Sequence, residues 1–161
     1  MREFKAPEPI KNDKISIFLA GTIDMGNSDD WQSLIVRELS NYDVYIYNPR
    51  CNNWDPSWEQ SINNPQFKEQ VLWELDALEK ADFIIFNFLP DSKSPITLFE
   101  LGKHYRDNII VCCPDKFYRS GNIHIVCERE QINLVKSQDE LLTFIKEILK
   151  NLKNEKVRNK I

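Results

Sequence analysis

Short, almost continuous apolar runs alternate along the chain with stretches whose apolar residues recur at helical spacing, and this alternation is the first sign of structure. The runs Ile15 to Ala20, Tyr42 to Tyr47, Phe83 to Phe88 and Asn108 to Cys113 are too short for amphipathic helices and read as strands covered on both faces. Ile123 to Val126 and Ile132 to Val135 read as two further short strands, the first at an edge. Between them lie helical stripes. Trp31, Leu34, Ile35 and Leu39 follow a cap at Ser28 or Asp29, and Phe67, Val71, Leu75 and Leu78 mark a helix over Phe67 to Lys80 that Asp82 closes into the next strand. Leu98, Leu101 and Tyr105 follow Ser94-Pro95, which reads as an N-cap with Pro at the first helical position. Leu141, Phe144, Ile145, Ile148 and Leu152 form the last stripe, with Ser137 as cap and Glu140 completing a capping box.

Strands that alternate with helices predict an α/β fold: one domain with a flavodoxin/Rossmann-like parallel sheet and helices on both faces. The polar residues 1–14 read as an N-terminal arm, 15–152 as the domain and 153–161 as a charged tail. The chemistry belongs where Phe83 to Phe88 runs into the loop containing Pro90, Asp91, Ser92 and Ser94, because open α/β sheets bind ligands beyond the carboxyl ends of their strands. Glu100 falls in the second turn of the following helix, at the edge of the stripe that faces the sheet. An ordinary helix carboxylate paired with His104 or Lys103 is the plainer alternative, worth a few tenths of a kcal/mol. In that placement Glu100→Ala barely changes stability.

Glycine sharpens the choice. The chain has four glycines where average usage gives roughly eleven, so each is expected to have a use. Gly102, inside the helix of Glu100, costs about 1 kcal/mol relative to Ala and predicts a close approach there. Gly21-Thr22-Ile23-Asp24-Met25-Gly26 is a strand-to-helix loop suited to ligand contact, although it is neither a Walker A nor a dinucleotide fingerprint. Asn48-Pro49-Arg50 opens a long polar, aromatic stretch of the kind that is usually functional. Within it, Arg50 and Trp54 suit a heteroaromatic ligand, while Trp58 reads as an anchor of the loop. Glu74 lies beside the inner stripe of its helix, where a solvated face and a place in the cleft both remain open.

A net charge of −4 and a pI near 5.3 argue against a general nucleic-acid binder. No apolar run is long enough to span a membrane, and the first residues lack the apolar core of a signal peptide, which predicts a cytoplasmic protein. Cys51, Cys112, Cys113 and Cys127 show no CxxC spacing and read as free thiols, mostly buried. Neither a metal nor a cofactor is expected.

In order, FLAGTI, NPRCNNW, WELDALEKAD-FIIFNF, PITLFELG and PDKFYRSGN resemble landmarks of the nucleoside 2-deoxyribosyltransferase family and the related deoxynucleotide N-glycoside hydrolases. The resemblance implies exchange of the base of a deoxynucleoside, with a free nucleobase as second substrate. It makes Glu100 the nucleophile and Glu74 its acid/base partner, standing where the family has Asp. Gly21, Thr22, Ile23, Asp24, Arg50, Trp54, Asp91 and Ser94 become substrate contacts, Ser94 matching a phosphate-binding Ser of the hydrolases and Asp24 opposing a phosphate. Asn122 resembles a residue that reaches a neighbouring subunit's site, which implies a homo-oligomer with shared sites. The family's first strand carries a Tyr that orients the nucleophile; ISIFLA has Phe18 and no Tyr, leaving Thr22 or another group to replace it. Hydrolysis of the glycosidic bond and binding of a nucleoside without turnover are the alternatives.

Overall fold

The computed structural model describes residues 1–23, 28–51, 55 and 57–158. Its strands are β1 (Arg2–Phe4), β2 (Ser16–Gly21), β3 (Tyr45–Tyr47), β4 (Phe83–Asn87), β5 (Ile109–Cys112) and β6 (Asn133–Val135). The helices are α1 (Trp31–Glu38), α2 (Pro65–Lys80), α3 (Pro95–His104), α4 (Ser120–Glu130) and α5 (Gln138–Arg158). All strand pairs are parallel, in the order β1-β3-β2-β4-β5-β6. Without β1 this is the flavodoxin-like order, in which the chain leaves the central pair in opposite directions and opens a crevice at the strands' carboxyl ends.

Alternation along each strand sends side chains to two cores. Ile17, Leu19, Ile46, Ile85, Ile110 and Cys112 pack under α1 and α5, against Trp31, Ile35, Leu39, Leu141 and Ile145. Phe18, Ala20, Ile84, Phe86, Ile109 and Val111 pack under α2, α3 and α4, against Trp73, Ala77, Leu101, Ile123 and Cys127. Both faces are covered, which is why the strands read as unbroken apolar runs. Burial pushes the thiols of Cys112 and Cys113 up to about 12 and that of Cys127 up to about 11.

The central pair, β2 and β4, is fastened at both ends. At the amino end Asp82 accepts hydrogen bonds from the Ser16 N–H at 2.8 Å and the Ser16 hydroxyl at 2.9 Å. Asp82 therefore locks two strands together rather than closing α2, which is capped at its start by Asn64. At the carboxyl end the Thr22 N–H donates to the Asn87 carbonyl at 3.0 Å. A Cβ on Gly21 would lie 2.3 Å from that carbonyl oxygen and 2.7 Å from the Trp31 ring. Backbone and indole thus occupy the space that the loop sequence offered to a ligand.

Four elements differ from the sequence expectation. Ahead of β2 the polar first residues supply β1, whose Phe4 is fully buried and meets Tyr45 and Tyr47 edge-on at 5.0 and 5.9 Å. Ile123 to Val126 is helical, not a strand: Ile123 and Cys127, four residues apart, enter the core while Ile125 and Val126 face outward. The α1 cap is Asp30, whose side chain accepts from the Ser33 N–H. On α2 the buried face is Gln70, Trp73, Ala77 and Leu78, rotated from the expected stripe because Trp73 takes the core position and donates its indole N–H to the Glu8 carbonyl at 2.7 Å. The capping box of α5 forms as expected, Ser137 Oγ accepting from the Glu140 N–H and Glu140 from the Ser137 N–H, each at 3.2 Å.

Phe4→Ala removes a fully buried aromatic ring and should lower stability by about 3 to 5 kcal/mol. The shift of a urea midpoint measures it, and a loss under about 0.5 kcal/mol, the level of a surface change, would mark β1 as an appendage.

Candidate active site

Two loops meet where β2 and β4 end. Thr22 is buried between them: its hydroxyl accepts from the Leu89 N–H at 3.1 Å and shares hydrogen bonds with Ser94 at 2.7 Å and Ser92 at 2.9 Å. Ser92 and Ser94 are 3.0 Å apart, which closes a triangle of three hydroxyls at the start of α3. Ser94 precedes Pro95 as expected, but it takes a left-handed conformation (φ 43°) and its side chain makes no capping bond, being engaged with Thr22. Asp91 is exposed in the preceding turn. Across the crevice Trp31 Nε1 donates to the Thr22 carbonyl at 3.0 Å, and Ser28 Oγ donates to the Ile23 carbonyl at 3.0 Å. These bonds fix the backbone of Gly21, Thr22 and Ile23 before any ligand arrives.

Glu100 is not at the edge of its helix. The buried face of α3 is Thr97, Glu100, Leu101 and His104, with Leu98 and Tyr105 only partly buried. Neither sequence partner takes Glu100: His104 Nδ1 bonds Asp107 Oδ2 at 2.7 Å, and Lys103 pairs with Glu79 at 3.5 Å. Desolvation chiefly, and then the neighbouring Glu74, raise the Glu100 carboxyl to about 8, against a smaller opposing pull from Lys103. Glu74, half-buried on α2, is raised to about 7 by burial, with a hydrogen bond from Gln70 pulling the other way. Glu74 thus sits half-buried with its carboxyl held by Gln70 rather than on an open helix face, and its charge acts on Glu100. Two carboxyls raised in one desolvated place hold about one proton between them near neutral pH.

Among the described residues no hydrogen bond acts on the Glu100 carboxyl. Phe18 is fully buried on this side of the sheet, and Thr22 is committed to the two serines, so neither supplies what a Tyr would. Arg50 reaches across to the other loop, donating to the Ser28 carbonyl at 3.0 Å and lying 3.7 Å from Asp30. It braces the two loops at the mouth of the crevice. Trp58 is half-buried, and Asn122 is exposed in the first turn of α4. Asp24 and Trp54 lie outside the described residues. Among the described residues nothing lies within 4 Å of a Cβ built at Gly102, so the approach predicted there is not made by any of them.

Sequence reasoning missed Gln70. It is buried, donating to the Pro49 carbonyl at 3.0 Å and to Glu74 Oε1 at 2.7 Å. Its spacing of one helical turn from Glu74 was the available signal.

Among the described residues no helix is long and apolar enough to cross a membrane. A solved structure, a conserved protein from Enterococcus faecalis V583, superposes with a TM-score of 0.61 at 15% identity, covering 83% of this chain and 98% of the other. At that identity the likeness speaks for the fold. No curated protein matches the chain. The family described as nucleoside 2-deoxyribosyltransferase like matches residues 14–117, a span that holds both carboxyls, both crevice loops and the central strand pair. The chain belongs to the nucleoside 2-deoxyribosyltransferase-like family.

Proposed function

We propose that the protein exchanges the base of a 2′-deoxynucleoside through a covalent intermediate on Glu100. The observation that carries this reading is the pair of inward-facing carboxyls, Glu100 and Glu74, with raised proton affinities at the carboxyl end of the central strands. The reactive form is the one-proton state with Glu100 ionised and Glu74 protonated, the less populated of the two arrangements because the Glu100 carboxyl is the more strongly raised. A Glu100 oxygen forms an ester bond to the anomeric carbon as the bond from that carbon to the base breaks. The electron pair of the broken bond goes to the base nitrogen, which takes the proton of Glu74. An acceptor base then gives its proton to Glu74 and displaces Glu100, so two inversions retain configuration.

Hydrolysis is the second reading. It is favoured by the hydroxyls of Thr22, Ser92 and Ser94 at the start of α3. Hydroxyls and backbone N–H groups at a helix start suit a 5′-phosphate, and water then replaces the acceptor base. Binding without turnover gains support only from the lack of a hydrogen bond on Glu100. The reading also includes self-association. Asn122 lies close in sequence to the exposed Ile125 (67%), and Ile96 and Phe99 on α3 of the same helical layer are 65% and 67% exposed.

Glu100→Ala should abolish both base exchange, assayed with thymidine and adenine, and base release without acceptor, because both pass through one ester. With a 2-deoxy-2-fluoro nucleoside the wild type should accumulate a sugar adduct on Glu100, seen by mass spectrometry of its peptide. An adduct on another carboxylate, or full turnover in Glu100→Ala, sinks the assignment.

Stability offers a test that needs no substrate. The folded carboxyls keep protons that the unfolded chain releases near the ordinary value of 4.5. Stability is therefore lost as pH rises from about 5 to about 8. Glu100→Gln should remove part of that slope and raise stability at pH 8 by about 1 to 3 kcal/mol, so the expectation that Glu100 is neutral to stability does not survive its burial. Denaturant melts at both pH values measure this, and parallel pH profiles for the two proteins would contradict it.

Light scattering at micromolar concentration should show an oligomer. An active monomer would remove Asn122 and a shared site from the reading.

A further inference from the structure

Resting on that reading of Glu74 as the proton carrier, we infer that Gln70 is a positioning residue that dictates which oxygen of Glu74 carries the proton. One nitrogen, Gln70 Nε2, lies 3.0 Å from the Pro49 carbonyl oxygen and 2.7 Å from Glu74 Oε1. A backbone carbonyl only accepts, so it fixes the amide with its nitrogen inward; the flipped amide would set oxygen against oxygen. The two protons of that nitrogen then serve the two acceptors.

Glu74 Oε1 consequently receives a hydrogen bond in both protonation states. A proton on Oε1 would collide with the donor, so the proton of neutral Glu74 resides on Oε2 and is delivered from there. The arrangement is buried, since Gln70 is 5% exposed, and it is anchored to the chain beyond β3 through Pro49, the neighbour of Arg50. The donor also favours the ionised form and opposes part of the desolvation of Glu74. Among the described residues the charged groups coupled to this pair are on α3: Glu100, which Glu74 raises, and Lys103, which acts on Glu100. Gln70 is the polar group that can set Glu74 without adding a charge to the pair.

Two substitutions separate positioning from packing. Gln70→Met keeps length and helix propensity and removes the donor, whereas Gln70→Lys keeps donors and adds a positive charge. With carboxyl-labelled glutamate, and Glu74→Gln to assign the resonance, carbon NMR should show the Glu74 midpoint moving up from about 7 in Gln70→Met and down in Gln70→Lys. In the thymidine–adenine assay Gln70→Met should lose about 10- to 100-fold in kcat with KM nearly unchanged. If Gln70→Met does not fold, the downward shift in Gln70→Lys decides alone. A midpoint that stays in place in a folded variant overturns the role of Gln70. A wild type that shifts as expected in its variants yet turns over no nucleoside leaves Gln70 standing and removes the proposed reaction instead.

Discussion

The parallel pairing of β2 with β4 is the constraint on which the site depends. Its amino end is held by Ser16 and Asp82, and its carboxyl end by the Thr22 N–H on the Asn87 carbonyl. The approach there is so close that only glycine fits at position 21, with Trp31 pressed over it. Since β3 and β5 flank this pair, the described residues that follow β2 and β4 inherit their position from a backbone contact that no ligand has to form. The hydroxyl triangle and the Arg50 brace then tie the loops to one another. For these residues ordering is completed during folding, which spares binding that entropic cost.

Against this rigid background the carboxyls are held in a state that water would reverse. An exposed glutamate is ionised at neutral pH, whereas Glu74 and Glu100 are raised to about 7 and 8 mainly by the loss of water around them. Burial of this kind costs stability and is found where a pair of acids must differ in protonation at working pH. Among the described residues Glu100 makes no compensating hydrogen bond, whereas Glu74 accepts one from Gln70. The amide lowers Glu74 and Lys103 lowers Glu100, and the Glu100 carboxyl still stands higher because the charge of Glu74 adds to its desolvation.

The strands and most helices were legible because burial on both faces writes itself as apolar runs and periodic stripes, and the α5 capping box is a local rule obeyed locally. Ile123 to Val126 misled because β-branched residues favour strands in isolation, and the helix is set by Ile123 and Cys127 reaching the core four residues apart. The face of α2 was misjudged because burial of Gln70 requires the Pro49 carbonyl, which is distant in sequence. Glu100 and Glu74 were singled out by type and spacing together with family resemblance; their depth was not foreseen, since a single chain position carries no record of what lies above it. Gly102 is the converse case, a costly residue that nothing in its surroundings requires.

The sheet ends on each side in a strand of three residues, β1 beyond β3 and β6 beyond β5. A free edge is a template on which foreign strands can add, and its hazard grows with its length. Three residues offer few backbone groups to another chain, so the borders of this sheet are weak templates. The polar opening residues thus do more than cover β3. By replacing it at the border they also take Tyr45 and Tyr47 out of water.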